Sequence, residues 1–154
     1  MKRISIKEYL LILVAAVFLA HPATLLADDS EEFRTPGFWK SSNSLKTWPK
    51  TGLSPNDRFV LVFNLNTTFS PTLLDMLSAR GGGANALGRH AVAALLNASL
   101  PNSSYPYAPD EIKSAVKETL SLYQATLFYG ADISTDIDNI ESLKDMYQAL
   151  NENK

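Results

Sequence analysis

Ala84-Asn85-Ala86-Leu87-Gly88-Arg89-His90-Ala91-Val92-Ala93-Ala94-Leu95-Leu96-Asn97-Ala98 is the stretch whose reading decides the fold. Leu87, Ala91, Leu95 and Ala98 recur at helical spacing on one face, with Val92 beside them. Alanines and other small side chains let a neighbouring helix approach closely, so this helix is expected at the centre of the domain. Upstream, Gly81-Gly82-Gly83 supplies a helix stop and a corner, because glycine accepts the positive φ that such a stop requires. The helix it stops is expected to start at Ser70-Pro71 and run to about Ala79.

Farther out, the same logic gives the remaining elements. Pro109-Asp110-Glu111 opens a third helix with acids in its positive first turn. Its stripe is Ile112, Ala115, Val116, Leu120, Tyr123 and Leu127, and it ends near Gly130. A last helix spans about Ile137 to Leu150, with Ile137, Ile140, Leu143, Tyr147 and Leu150 on its apolar side. Arg58 to Phe63 fits either a short helix or a buried strand; Ser54-Pro55, read as an N-cap with proline at N1, favours the helix. No repeat or heptad array is present. The expected fold is mainly α: a single compact domain of about four to five helices, with residues 57–150 as its helical core.

Residues 1–27 read as a secretory signal peptide. Lys2, Arg3 and Lys7 form the basic region, Leu10 to Ala20 an uncharged apolar run, and Ala27 the small residue at the cleavage position before Asp28. The apolar run is too short for a membrane span, which needs about 20 residues. The domain is therefore expected at 28–154, secreted or periplasmic, with no membrane contact after cleavage. The chain has no cysteine, so neither a disulfide nor a lipoprotein anchor can form. Residues 28–56 are expected to be irregular, punctuated by Pro36-Gly37, Ser41 to Ser44, Pro49, Gly52 and Pro55. Both tryptophans, Trp39 and Trp48, fall in this segment.

After cleavage eleven basic and fifteen acidic residues remain, a net charge of −4. Arg34, Lys40, Lys46, Lys50 and Arg58 face only Asp57 within residues 34–58, whereas residues 105–154 hold nine acids and four bases. Two solvated faces that complement each other are the plain reading. Five dispersed cations on an acidic chain do not make a nucleic-acid surface. An acidic extracellular polysaccharide or another cell-surface component suits them better.

Thr35-Pro36-Gly37-Phe38-Trp39-Lys40 followed by Trp48 resembles the N-terminal signature of a family of exported bacterial domains of unknown function, roughly T-P-G-(F/Y)-W-K-N-H. Thr72-Leu73-Leu74-Asp75-Met76-Leu77 and the Gly81–Ala98 block resemble the same family, as does Tyr105-Pro106 before the Pro109 helix. The likeness covers most of residues 34–125. Ser41-Ser42 stands where the pattern has Asn-His, so no role passes to a histidine there, and His90 stands where relatives carry Gln. The resemblance implies an exported surface or matrix protein and implies no reaction.

The chemistry-bearing residues are few, and the sequence names no catalytic residue. His90 is the only histidine after the signal, and no G-x-S-x-G accompanies it. One histidine without cysteine falls short of the usual zinc ligand sets, and no cofactor motif is present. Asp132, Ser134, Asp136 and Asp138 match alternate calcium-loop positions, but Ile137 and Leu143 occupy the required glycine and glutamate positions. Gly81-Gly82-Gly83 lacks the G-K-(S/T) of a phosphate loop. Phe38, Trp39, Lys40 and Trp48, with Tyr105 and Tyr107, could form a sugar-stacking platform. The competing reading, which the residue types favour, folds Trp39 back as a plug of the helical core. The sequence thus favours a non-enzymatic binding or structural module; the alternative is a small secreted hydrolase using His90 or clustered carboxylates.

Overall fold

The computed structural model describes residues 33–68, 70–129 and 134–152. The signal peptide expected at 1–27, the acidic lead to Glu32, and Asp132 with Ile133 lie outside the described residues. Residues Glu31–Lys154 group into one compact unit.

Six α-helices follow in order among the described residues: α1 Pro36–Trp39, α2 Phe59–Val62, α3 Leu73–Ser78, α4 Gly83–Ala98, α5 Pro109–Tyr129 and α6 Ser134–Glu152. Two 3-10 turns, Ser44–Lys46 and Trp48–Thr51, sit between α1 and α2. No strand forms among the described residues; Arg58 and Thr72 share an isolated bridge. The mainly α fold expected from the sequence is the fold observed.

Helix α4 is the centre, packed against α1, α3, α5 and α6. From Ala86 to Asn97 every residue except Arg89 is buried. It is thus enclosed all round rather than along the single stripe read from Leu87, Ala91, Leu95 and Ala98. Gly88 explains how α3 comes so close: a Cβ there would stand 2.4 Å from Met76 Sδ. Ile112, Val116 and Leu120 of α5 and Ile140 and Tyr147 of α6 complete the core. Ile137, expected on the apolar side of α6, is 43% exposed; it precedes Ile140, the first buried position of that helix.

Several local expectations are corrected. The segment at 34–56 is not irregular: Thr35 Oγ1 accepts from Phe38 N at 3.2 Å and, with Pro36 at N1, starts α1. Ser54 does not cap α2, whose first residue follows Arg58. Instead Ser54 N donates to Asp57 Oδ2 at 2.7 Å and Asp57 N to Ser54 O, closing a turn one step earlier. Helix α3 starts at Leu73 rather than at Ser70-Pro71. Thr72 and Asp75 form a reciprocal capping box there, and Leu73 N and Leu74 N donate to Asp57 O and Pro55 O, so the first turn's N–H groups are met.

At the glycine corner, Gly81 and Gly83 take positive φ (93° and 55°). Arg89 Nη1 binds Ala79 O and Gly81 O, and Gly83 N donates to Glu141 Oε1 at 3.2 Å. The N–H group that could have met an external anion is answered by a carboxylate of α6.

Candidate functional site

The tryptophan segment folds as two linked anchors. Helix α1 is one turn long and aims Trp39 inward, where its Nε1 donates to Asn97 Oδ1 at 3.0 Å. The turns that follow bring Trp48 back, and its Nε1 donates to Trp39 O at 3.1 Å. Ser44 Oγ donates to the same carbonyl at 2.9 Å. The two indoles meet edge to face, 6.2 Å between centroids and 82° apart, and neither is exposed to solvent. Of the four candidate ligand residues, Trp39 and Trp48 therefore lie inside, and no indole face is open for a sugar. Burial of a large apolar ring and satisfaction of both indole N–H groups favour the inward pose. Tyr105 is also buried, its ring edge-on to Phe33 at 4.9 Å.

Phe38 and Lys40 remain at the surface. Phe38 is 38% exposed and packs edge-on to Trp39 at 5.5 Å. The Arg34 guanidinium lies 4.6 Å from the centroid of the Phe38 ring, a cation–π stack. Lys46 and Lys50 are exposed on the 3-10 turns, and Arg58 donates to Ser70 O. Among the described residues, none of these five cations pairs with a carboxylate: the ion pairs are Lys113–Asp110, Lys144–Glu141 and Lys144–Asp145, all within α5 or α6. The basic and acidic halves of the sequence do not neutralise each other through these contacts. A cleft of about 440 Å³ opens here, lined by Leu45, Trp48, Pro49, Leu53, Pro55 and Asp57 among others.

Beneath this surface lies a buried polar network that the sequence reading missed. Asn97 Oδ1 accepts from Trp39 Nε1 and from Arg34 N, while its Nδ2 donates to Arg34 O and to Asn151 Oδ1. Asn151 Oδ1 also accepts from Tyr105 Oη at 3.2 Å, and Asn151 Nδ2 donates to His90 O at 2.9 Å. Asn97 is 2% exposed and Asn151 not at all. An asparagine on a helix otherwise packed with apolar side chains is the available signal, since a buried amide needs partners. Asn97-Ala98-Ser99 also has the form of a glycosylation sequon, but Asn97 is buried rather than presented at the surface.

His90 is 8% exposed, with Lys144, Asp145 and Glu152 of α6 among the charged groups around its imidazole. Its Nδ1 has no hydrogen-bond partner, and no serine hydroxyl or carboxylate is bonded to its imidazole among the described residues. Burial pushes its pKa below the ordinary 6.5; Arg89 and Lys144 act in the same direction, Glu152 and Asp145 against it. A general base of a triad must touch both a nucleophile and an orienting acid, and this imidazole touches neither. Ser134, Asp136 and Asp138 fall within α6 rather than on a loop. Among the described residues, no three metal-ligating side chains converge. Compared with protein-family models, curated proteins and solved structures, the chain matches none of them.

Proposed function

We propose that this chain is an exported, non-enzymatic binding or structural module of the cell surface or its matrix, akin to the bacterial domains its T-P-G-F-W-K segment resembles. Its ligand is an acidic polysaccharide. The observation that carries the reading is the outer side of the tryptophan segment. There Arg34 stacks on an exposed Phe38, and Lys40, Lys46 and Lys50 stand without carboxylate partners among the described residues. A sugar ring offers C–H faces to Phe38 and carboxylates to the cations, and the buried indoles hold that face rigid. Rigid presentation lowers the ordering cost of binding.

The full chain applied to immobilised polygalacturonate and to neutral dextran tests this. Retention on the acidic polymer alone, weakening as salt rises from about 0.05 to 0.5 M, is expected of surface cations. Phe38→Ala and Lys40→Glu should each reduce retention. Lys40→Glu should leave the melting temperature unchanged because its side chain is exposed, whereas Phe38→Ala also loses its edge contact with Trp39 and should lower it slightly. Equal retention on dextran, or none on any acidic polymer tried, would remove the reading.

A further inference from the structure

His90 Nδ1 is the one buried side-chain nitrogen or oxygen without a hydrogen-bond partner among the described residues. An orphaned buried polar atom calls for an explanation. Its position gives one. His90 lies where α4 meets α6, and its own carbonyl receives the amide of Asn151, in the last turn of α6. From Asn151 the chain of bonds continues to Asn97, and from Asn97 to Trp39 Nε1 and to both backbone groups of Arg34.

We propose that His90 is a proton-operated latch: protonation loosens the last turn of α6 from α4 and, through Asn151 and Asn97, frees the Trp39 segment. Neutral imidazole fits the seam. An imidazolium would place a charge there and would need a donor at Nδ1 that nothing accepts, and burying an unpaired charge is costly. The charged groups around it divide evenly. Arg89 of α4 and Lys144 of α6 oppose the added proton, while Asp145 and Glu152 of α6 favour it, and burial outweighs both. Tyr105 and Tyr147 stay neutral throughout, their phenols raised well above the ordinary range by burial.

The sign follows from linkage. The native pKa lies below the ordinary one, so the released state binds the proton more tightly. Stability of the latch is full above about pH 6.5 and is lost as pH falls toward the depressed native value. Within that window the opening equilibrium rises by up to about tenfold per pH unit. The device holds whatever ligand the outer face takes.

Trp39 and Trp48 are the only tryptophans, so intrinsic emission reports on the segment itself. The full chain titrated from about pH 7.5 to about pH 5.5, where ordinary carboxylates stay almost wholly ionised, should show a red shift of emission. Amides of residues 146–152 should exchange faster over the same range. His90→Gln should abolish both changes. Should that variant lose its helical circular dichroism at pH 7.5, the wild-type imidazole titration followed by NMR decides instead. A His90 midpoint below 6.5 that coincides with the emission midpoint supports the latch, and separate midpoints overturn it. Emission unchanged across the range, or the same acid transition in a folded His90→Gln, also overturns it.

Discussion

Asn97 uses both ends of its amide on groups from opposite ends of the sequence, Arg34 and Trp39 on one side and Asn151 on the other. Removing one partner should therefore cost less than removing the hub. Trp39→Phe deletes one indole N–H and part of a fully buried ring yet leaves Arg34 N on Asn97 Oδ1, so urea unfolding should show a loss of about 1–3 kcal/mol. Trp39→Ala empties a fully buried site and should cost about 3–5 kcal/mol. Asn97→Leu is the harsher polar change. It strands Trp39 Nε1 and both backbone groups of Arg34 at once and leaves Asn151 Oδ1 with Tyr105 Oη alone, and each buried group left unmade costs about 1–3 kcal/mol. Thermal melts should rank Asn97→Leu well below Trp39→Phe. At this scale the sequence was informative about what Trp39 does and silent about its partner. An indole in a Pro/Gly/Ser-rich stretch already suggests an anchor. That Asn97 receives it is a contact across 58 positions, which no local spacing encodes.

Helix α4 was readable because fifteen consecutive residues without a proline carry mostly alanine and leucine, whereas the four-residue α1 has no room for a period. Short turns are specified by single caps, which carry no periodic signal. Thr72 and Asp75 are three apart, the capping-box spacing, yet Ser70-Pro71 offered a competing start two residues earlier. Thr72→Ala should cost about 0.5–2 kcal/mol. Asp75 is held below its ordinary pKa mainly by its side-chain bond to Thr72. Its contribution is present above about pH 3.8 and declines as pH falls through the depressed native value. The contact of α3 with α4 gives a sharper test. A Cβ on Gly88 would lie 2.4 Å from Met76 Sδ and 3.0 Å from its Cγ, too near the root of that side chain to be relieved by its tip alone. Gly88→Ala should destabilise by about 1–3 kcal/mol, as overpacking does. Adding Met76→Ala should make the pair less destabilising than the sum of the two changes, because the second opens the space the first fills.

For the described chain taken together, the two ends of its sequence close on one buried amide pair. Arg34 and Trp39 reach Asn97 from the start, Asn151 reaches it from the last turn of α6, and Tyr105 joins through Asn151. Such long-range closure cannot form until α4 has bound both partners, so the segment and α6 should melt together at neutral pH. Tryptophan emission and far-UV circular dichroism should then give coincident unfolding curves at pH 7.5, the test of a single cooperative transition. Asn151→Ala extends the argument. Asn151 is more than a hundred positions from Trp39 and its hydrogen bonds go to Asn97, Tyr105 and His90 O rather than to an indole. Its loss removes an acceptor from Asn97 Nδ2 and from Tyr105 and the donor to His90 O. If the bridge transmits, that variant should red-shift tryptophan emission in the native state as well as lower the melting temperature. A cycle with Trp39→Phe should give a coupling energy of about 0.5–3 kcal/mol, the range for residues in one hydrogen-bond network. Purely additive losses and unshifted emission would instead mean that Asn97 holds its two sides independently. The tryptophan segment would then be anchored by its own packing, and α6 could loosen without disturbing it.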